Sequence, residues 1–170
     1  MKPSPTAFWQ SQLQYIKLLV LDVDGVLTDG KLHYNAQGEC LKVFHVQDGH
    51  GIKTLLGQNI QVAIITGRQS AINQMRASEL GINYLIQGSK NKLADLQTLL
   101  KQLQLKPDQV AFMGDDLPDL AAMQAAALAF TVPDAHPDIK DHADYCTHKA
   151  GGNGAVREVC DLFTNSHKCL

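Results

Sequence analysis

Six short apolar runs punctuate the chain, at residues 16–21, 62–65, 84–86, 110–113, 128–132 and 145–147. The segments between several of them carry apolar positions at helical spacing. Residues 70–80 form one such segment, stopped by Gly81, which suits the left-handed residue after a helix end. Residues 92–103 place Leu93, Leu96, Leu99, Leu100 and Leu103 on one stripe, and residues 118–126 and 155–163 complete the set. Short buried strands alternating with helices predict parallel βαβ units, an α/β fold whose sheet is covered on both faces. In such sheets ligands bind beyond the carboxyl ends of the strands, so the residues that follow each apolar run are the ones to inspect.

Residues 31–46 break the alternation. Two β-rich stretches flank Asn35-Ala36-Gln37-Gly38 and predict a hairpin with a four-residue turn, projecting from the ligand-binding end. Its second strand alternates Leu41, Val43 and His45 with Cys40, Lys42, Phe44 and Val46, so both faces carry apolar groups. An isolated hairpin is marginal in water. Such a ribbon either folds back on its own core or packs with its copies around an oligomer axis. The chain otherwise reads as a lead-in over 1–14, one domain over 15–165 and a tail over 166–170, without repeats or linkers.

Composition narrows the function classes. The 170 residues are 45% hydrophobic and 19% charged, which excludes a disordered chain. The formal charge of −2 leaves no electrostatic footprint for nucleic acid or an anionic membrane surface. The apolar region 120–132 is interrupted by Gln124 and is too short to span a bilayer, and the N-terminus lacks a signal-peptide core. Cys40, Cys146, Cys160 and Cys169 form no close pair and read as reduced, mostly buried thiols of a cytoplasmic protein.

The strand ends carry the chemistry. The first closes on Asp22-Val23-Asp24-Gly25, whose two carboxylates lie two residues apart on an extended backbone and face one spot. The second closes on Thr66-Gly67-Arg68, the third leads through Gly88-Ser89 to Lys92, and the fourth closes on Gly114-Asp115-Asp116, followed by Asp119. Carboxylates, a hydroxyl and an ammonium on one rim suit phosphoryl transfer through an aspartyl phosphate. A carboxylate nucleophile splits one hard step into two, Mg²⁺ bridges the anions that must meet, and a second carboxylate moves the proton.

The chain resembles the haloacid dehalogenase superfamily, all four of whose motifs occur here in order. The resemblance implies Asp22 as nucleophile and Asp24 as general acid/base. Thr66 would hold the phosphoryl oxygens, and Lys92 would neutralise nucleophile and phosphate. Mg²⁺ would rest on Asp22, Asp115 and Asp24, the last through its backbone carbonyl, with Asp116 and Asp119 outside or secondary. The stretches 24–66 and 66–92 leave no room for the cap domain that most members carry. The open site then faces macromolecules or is roofed by a neighbouring subunit.

Leu27-Thr28-Asp29-Gly30, Phe44 to Gly49, Gly114-Asp115-Asp116 and Gly151 to Glu158 are similar to the capless, tetrameric 3-deoxy-D-manno-octulosonate 8-phosphate phosphatases, which serve bacterial lipopolysaccharide synthesis. That resemblance implies a sugar-acid phosphate as substrate, gripped by Asp24, His45, Val46, Gln47, Asp48, Gly49, Arg68, Arg76 and Lys92. It also implies a site completed across the tetramer, with residues 151–154 and Arg157 either capping the last helix or reaching a neighbour. Gln47 departs from the Arg of the compared family, removing one anion contact. For Arg76 a solvated mid-helix cation competes with the family role. Three other readings stay open: a phosphatase for a nine-carbon keto-sugar acid, a non-catalytic oligomerisation module of the same fold, and a phosphoaccepting receiver. The order of the acidic motifs disfavours the receiver.

Overall fold

Leu18, Leu19, Val20 and Leu21 have no exposed surface, and this strand, β1 (Leu18–Leu21), is the axis on which the sheet is built. The computed structural model describes residues 5–168, with side chains for residues 9–166. Helix α1 (Pro5–Gln12) leads through a 3₁₀ turn into β1, followed by the hairpin β2 (His33–Asn35) and β3 (Gly38–Leu41). Then come α2 (Val46–Gly57), β4 (Gln61–Thr66), α3 (Ala71–Leu80), β5 (Tyr84–Gln87), α4 (Lys92–Leu103) and β6 (Val110–Met113). A 3₁₀ turn, α5 (Leu120–Ala125), β7 (Leu128–Thr131), α6 (Pro137–His142), β8 (Tyr145–Cys146) and α7 (Ala155–Lys168) complete the chain.

The main sheet runs β5-β4-β1-β6-β7-β8, and every pair in it is parallel. Succession moves outward from β1 through β4 to β5, then returns to β6 and continues to β8. The order therefore reverses between β1 and β6, and the crevice opens beyond their carboxyl ends. Right-handed crossovers put α2 and α3 on one face and α4, α5 and α6 on the other, and α7 joins the first face by packing on α2. The packing of α4 on α5 agrees. Ser70 caps α3 by accepting from the Ile72 amide, and Gly81 closes it at φ 78°. Among the described residues, no helix is long and apolar enough to cross a membrane.

The sequence reading differs from the structure at the ends and in the hairpin. The strand expected to run to residue 46 stops at Leu41, because His45 N-caps α2 through its ring and Val46 is already helical. The turn is as expected, with Asn35 paired to Gly38. Residues 5–12 of the lead-in are helical, and Trp9 packs edge-on against Phe130 and beside Tyr145. The segment 118–126 divides into a 3₁₀ turn and a short helix where Pro118 enters. Helix α6 went unforeseen. Cys40 and Cys146 are exposed and only Cys160 is buried, so most of the described thiols are not core residues, while Cys169 lies outside the described residues.

Candidate active site

A cleft of about 280 Å³ opens where β1, β4 and β6 end, and Asp22, Asp24, Thr66, Arg68, Lys92 and Asp115 line it. Asp22 ends β1 with one carboxylate oxygen fixed by the Val23 amide at 2.7 Å and the other 2.8 Å from Lys92 Nζ. Lys92 opens α4 and is 5% exposed. Its ammonium also reaches Asp119 Oδ1 at 2.6 Å. Burial alone would lower the proton affinity of Lys92, but the charges of Asp22 and Asp119 outweigh it and raise the pKa. Thr66 is buried at the tip of β4, and its hydroxyl accepts from the Arg68 amide at 3.4 Å.

Asp22, Asp115 and Asp119 offer carboxylate oxygens that all lie within 4.8 Å of one another. Burial, then repulsion from Asp119, lifts the Asp22 carboxyl to about 6 against the opposing Lys92. Burial, with the charges of Asp22 and Asp119, lifts Asp115 to about 7. Three hard oxygen donors whose charges repel one another fit Mg²⁺. Gly25 makes the approach possible, since a Cβ there would lie 2.0 Å from Asp115 Oδ2.

The carboxylate cluster contains one side chain more than the expected metal ligands. Asp119, read as outer or secondary, joins the cluster with no exposed surface, yet its Oδ2 accepts from the amides of Asp115 at 3.1 Å and Asp116 at 3.3 Å. It braces the acidic loop. Asp116 is exposed and caps the 3₁₀ turn through the Leu117 amide. Lys42 holds Oδ1 of Asp24, and the expected metal contact of this residue is through its backbone carbonyl.

The hairpin supplies residues that the sequence reading missed. Lys42 Nζ contacts Asp24 Oδ1 and lies 3.2 Å from Glu39 Oε1, and Arg68 donates to the Tyr34 hydroxyl. The signal available in the sequence was a lysine alternating with apolar residues in Leu41-Lys42-Val43-Phe44, on the side of the strand that Phe44 also occupies.

The remaining expected substrate contacts do not line this cleft. Val46, Gly49 and Arg76 border a second cleft beside α2 and α3, with His50, Lys53 and Glu79. Arg76 stacks 5.4 Å over Phe44, pairs with Glu79 at 2.9 Å and reaches the His45 carbonyl. Gln47 approaches Gly154. Asp48, also expected at the substrate, is 1% exposed and accepts from the Arg157 amide at 2.7 Å, holding the start of α7. Burial raises its pKa. Gly151 packs inside its own chain, where a Cβ would lie 1.8 Å from the Gly25 carbonyl oxygen, while Asn153 in the same segment is exposed. The Arg157 side chain pairs with Asp161 at 2.7 Å.

The sequence profile of haloacid dehalogenase-like hydrolases matches residues 70–159. The chain is 51% identical over 153 residues to the 3-deoxy-D-manno-octulosonate 8-phosphate phosphatase KdsC of Salmonella typhi, covering 90% of this chain and 81% of that protein. It is 49% identical over 153 residues to its counterpart in Escherichia coli K12, with the same coverage. The fold superposes on the Moraxella catarrhalis enzyme of that name, crystallised with magnesium, phosphate and KDO, at a TM-score of 0.91 and 45% identity, covering 94% of this chain and 91% of that one. The cobalt-bound enzyme from Haemophilus influenzae gives a TM-score of 0.90 and 43% identity, covering 92% of each chain.

Proposed function

The chain belongs to the haloacid dehalogenase-like hydrolases, among the 3-deoxy-D-manno-octulosonate 8-phosphate phosphatases, and from that premise we propose how its residues carry the reaction. It is a Mg²⁺-dependent phosphoric monoester hydrolase that converts 3-deoxy-D-manno-octulosonate 8-phosphate to the free sugar acid and phosphate. Asp22, Asp115 and the backbone carbonyl of Asp24 would hold Mg²⁺, which would supply charge neutralisation so that an anionic nucleophile can approach a phosphate.

An Asp22 oxygen attacks phosphorus, the bond to the sugar oxygen breaks, and Asp24 gives its proton to that oxygen. Asp24, now a carboxylate, takes a proton from the water that attacks the aspartyl phosphate, so phosphate leaves and both residues return to their starting forms. Lys92 and the Thr66 hydroxyl face the charge on the transferring group. Arg68 suits the substrate carboxylate, which a guanidinium grips in two-point fashion.

The observation that carries this reading is the Asp22–Lys92–Asp119 chain at the switch point, beside Thr66 and Asp115. Intact catalytic residues count against the non-catalytic module. We further assign a tetramer in the cytoplasm, serving lipopolysaccharide synthesis, with the hairpin at the subunit contact. Leu32, Tyr34, Leu41 and Val43 are exposed on it and its flanks, and Val46 at the start of α2 is 83% exposed. His45, Val46, Gln47, Gly49 and Arg76 then serve the cleft of a neighbouring subunit. Asp22→Asn tests the chemistry: loss of all phosphate release with an unchanged fold supports it, and retained turnover overturns the nucleophile assignment.

A further inference from the structure

Lys42 is the most buried cation that the proposed mechanism leaves without a task. Its side chain is 1% exposed, on the stretch leaving β3. An isolated ammonium there would be strongly disfavoured, and even a paired one gains little over an apolar side chain of similar size. Stability alone therefore gives no reason for a lysine between Leu41 and Val43.

Its surroundings give one. Lys42 Nζ contacts Asp24 Oδ1 and lies 3.2 Å from Glu39 Oε1. Arg68 closes the group, with Nη2 3.7 Å from Glu39 Oε1 and Nε 3.8 Å from Asp24 Oδ2. Two carboxyl groups and two cations alternate around a ring, half of it contributed by the hairpin. Burial would raise the Glu39 pKa, but hydrogen bonds from Ser70 and Lys42 and the charges of Lys42 and Arg68 hold it below the usual carboxylate range, so Glu39 is an anion. The two oxygens of Asp24 are not equivalent in this ring. Oδ1 is bound by Lys42, while Oδ2 is buried without a hydrogen-bond partner.

We propose that Lys42, anchored by Glu39, is a positioning residue for Asp24, fixing Oδ1 so that Oδ2 is the oxygen that passes the proton to the leaving group. The inference rests on the reading of Asp24 as the general acid. Lys42 has almost no surface with which to touch substrate, so it acts through Asp24. The step keeps its balance: the Oδ2 proton goes to the departing oxygen as its bond to phosphorus breaks, and Lys42 keeps all its protons. The hairpin thereby ties the catalytic acid to the element that forms the subunit contact.

The test compares phenyl phosphate with 4-nitrophenyl phosphate on the Mg²⁺-loaded enzyme. Phenolate needs the proton and 4-nitrophenolate scarcely does. Neither ester carries a carboxylate for Arg68, and kcat/KM reports only the steps through leaving-group departure. Lys42→Met is expected to lose on the order of 10- to 100-fold in kcat/KM with phenyl phosphate and less than about threefold with 4-nitrophenyl phosphate. Lys42→Arg restores the ratio, and Glu39→Gln, which keeps Lys42, shifts it in the same direction as Lys42→Met. Asp24→Asn serves as the reference. If it shifts the ratio while Lys42→Met and Glu39→Gln lower both activities equally or not at all, the positioning role is overturned and Asp24 stands. Should Asp24→Asn itself leave the ratio unchanged, the acid assignment fails and the inference with it.

Discussion

Lys92 Nζ lies 2.6 Å from Asp119 Oδ1, closer than its 2.8 Å approach to Asp22. The Asp119 carboxylate, without exposed surface, aims the lysine with one oxygen and holds the backbone of the acidic 115–116 loop with the other. One residue thus sets the distance between two functional groups carried on different elements.

Asp119→Asn should therefore weaken catalysis and Mg²⁺ binding together. The amide keeps the shape but leaves Lys92 with one anion, and breaking a buried pair costs about 3 kcal/mol of stability. Denaturant midpoints and Mg²⁺ titration of phosphate release check this. A variant that loses stability but keeps the wild-type Mg²⁺ dependence would show that Asp119 only supports the fold.

Stability of the metal-free protein should depend on pH with an unusual sign. Asp22 and Asp115 rise from an ordinary 3.8 to about 6 and about 7 in the folded state. Between those values the folded protein binds more protons than the unfolded chain, so this contribution to stability is full at low pH and is lost as pH rises through 6 to 7. The melting temperature of chelated protein should be lower at pH 8 than at pH 5.5 by on the order of 5 °C, with saturating Mg²⁺ removing the deficit. A chelated protein that melts higher at pH 8 contradicts the assigned strain in the carboxylate cluster.

If the cleft beside α2 serves a neighbour, two defective chains should rescue each other. Arg76→Ala is expected to raise KM by on the order of 10- to 100-fold, the value of one charge-assisted contact. Asp22→Asn has no turnover at all. Oligomers assembled from both pair intact nucleophiles with intact Arg76, and their activity should exceed the sum of the separate pools. Simple addition would place Arg76 at its own subunit's site or at none.

The apolar runs gave the sheet because a parallel strand covered on both faces must be apolar throughout, as the four buried residues of β1 are. Asp22, Asp24, Thr66, Lys92 and Asp115 were legible because strand ends fix where the next residues go. Lys42 was not, since the alternation that turns it inward continues past the end of the ladder and depends on where the hairpin lies. The structural contact of Asp48 was illegible for a related reason: its partner is the Arg157 amide, far along the chain, and nothing local marks a carboxylate as a cap for a distant helix. The division of the substrate residues between two clefts follows from tertiary packing, to which local spacing is blind.

The most direct test of the account is kcat/KM for 3-deoxy-D-manno-octulosonate 8-phosphate beside its nine-carbon analogue and a panel of simple sugar phosphates, with Mg²⁺ and after chelation. The account predicts turnover that requires Mg²⁺ and favours the eight-carbon acid by about tenfold or more, a difference of about 1.4 kcal/mol in transition-state binding. Equal rates across the panel, or release of phosphate that survives chelation, would contradict it.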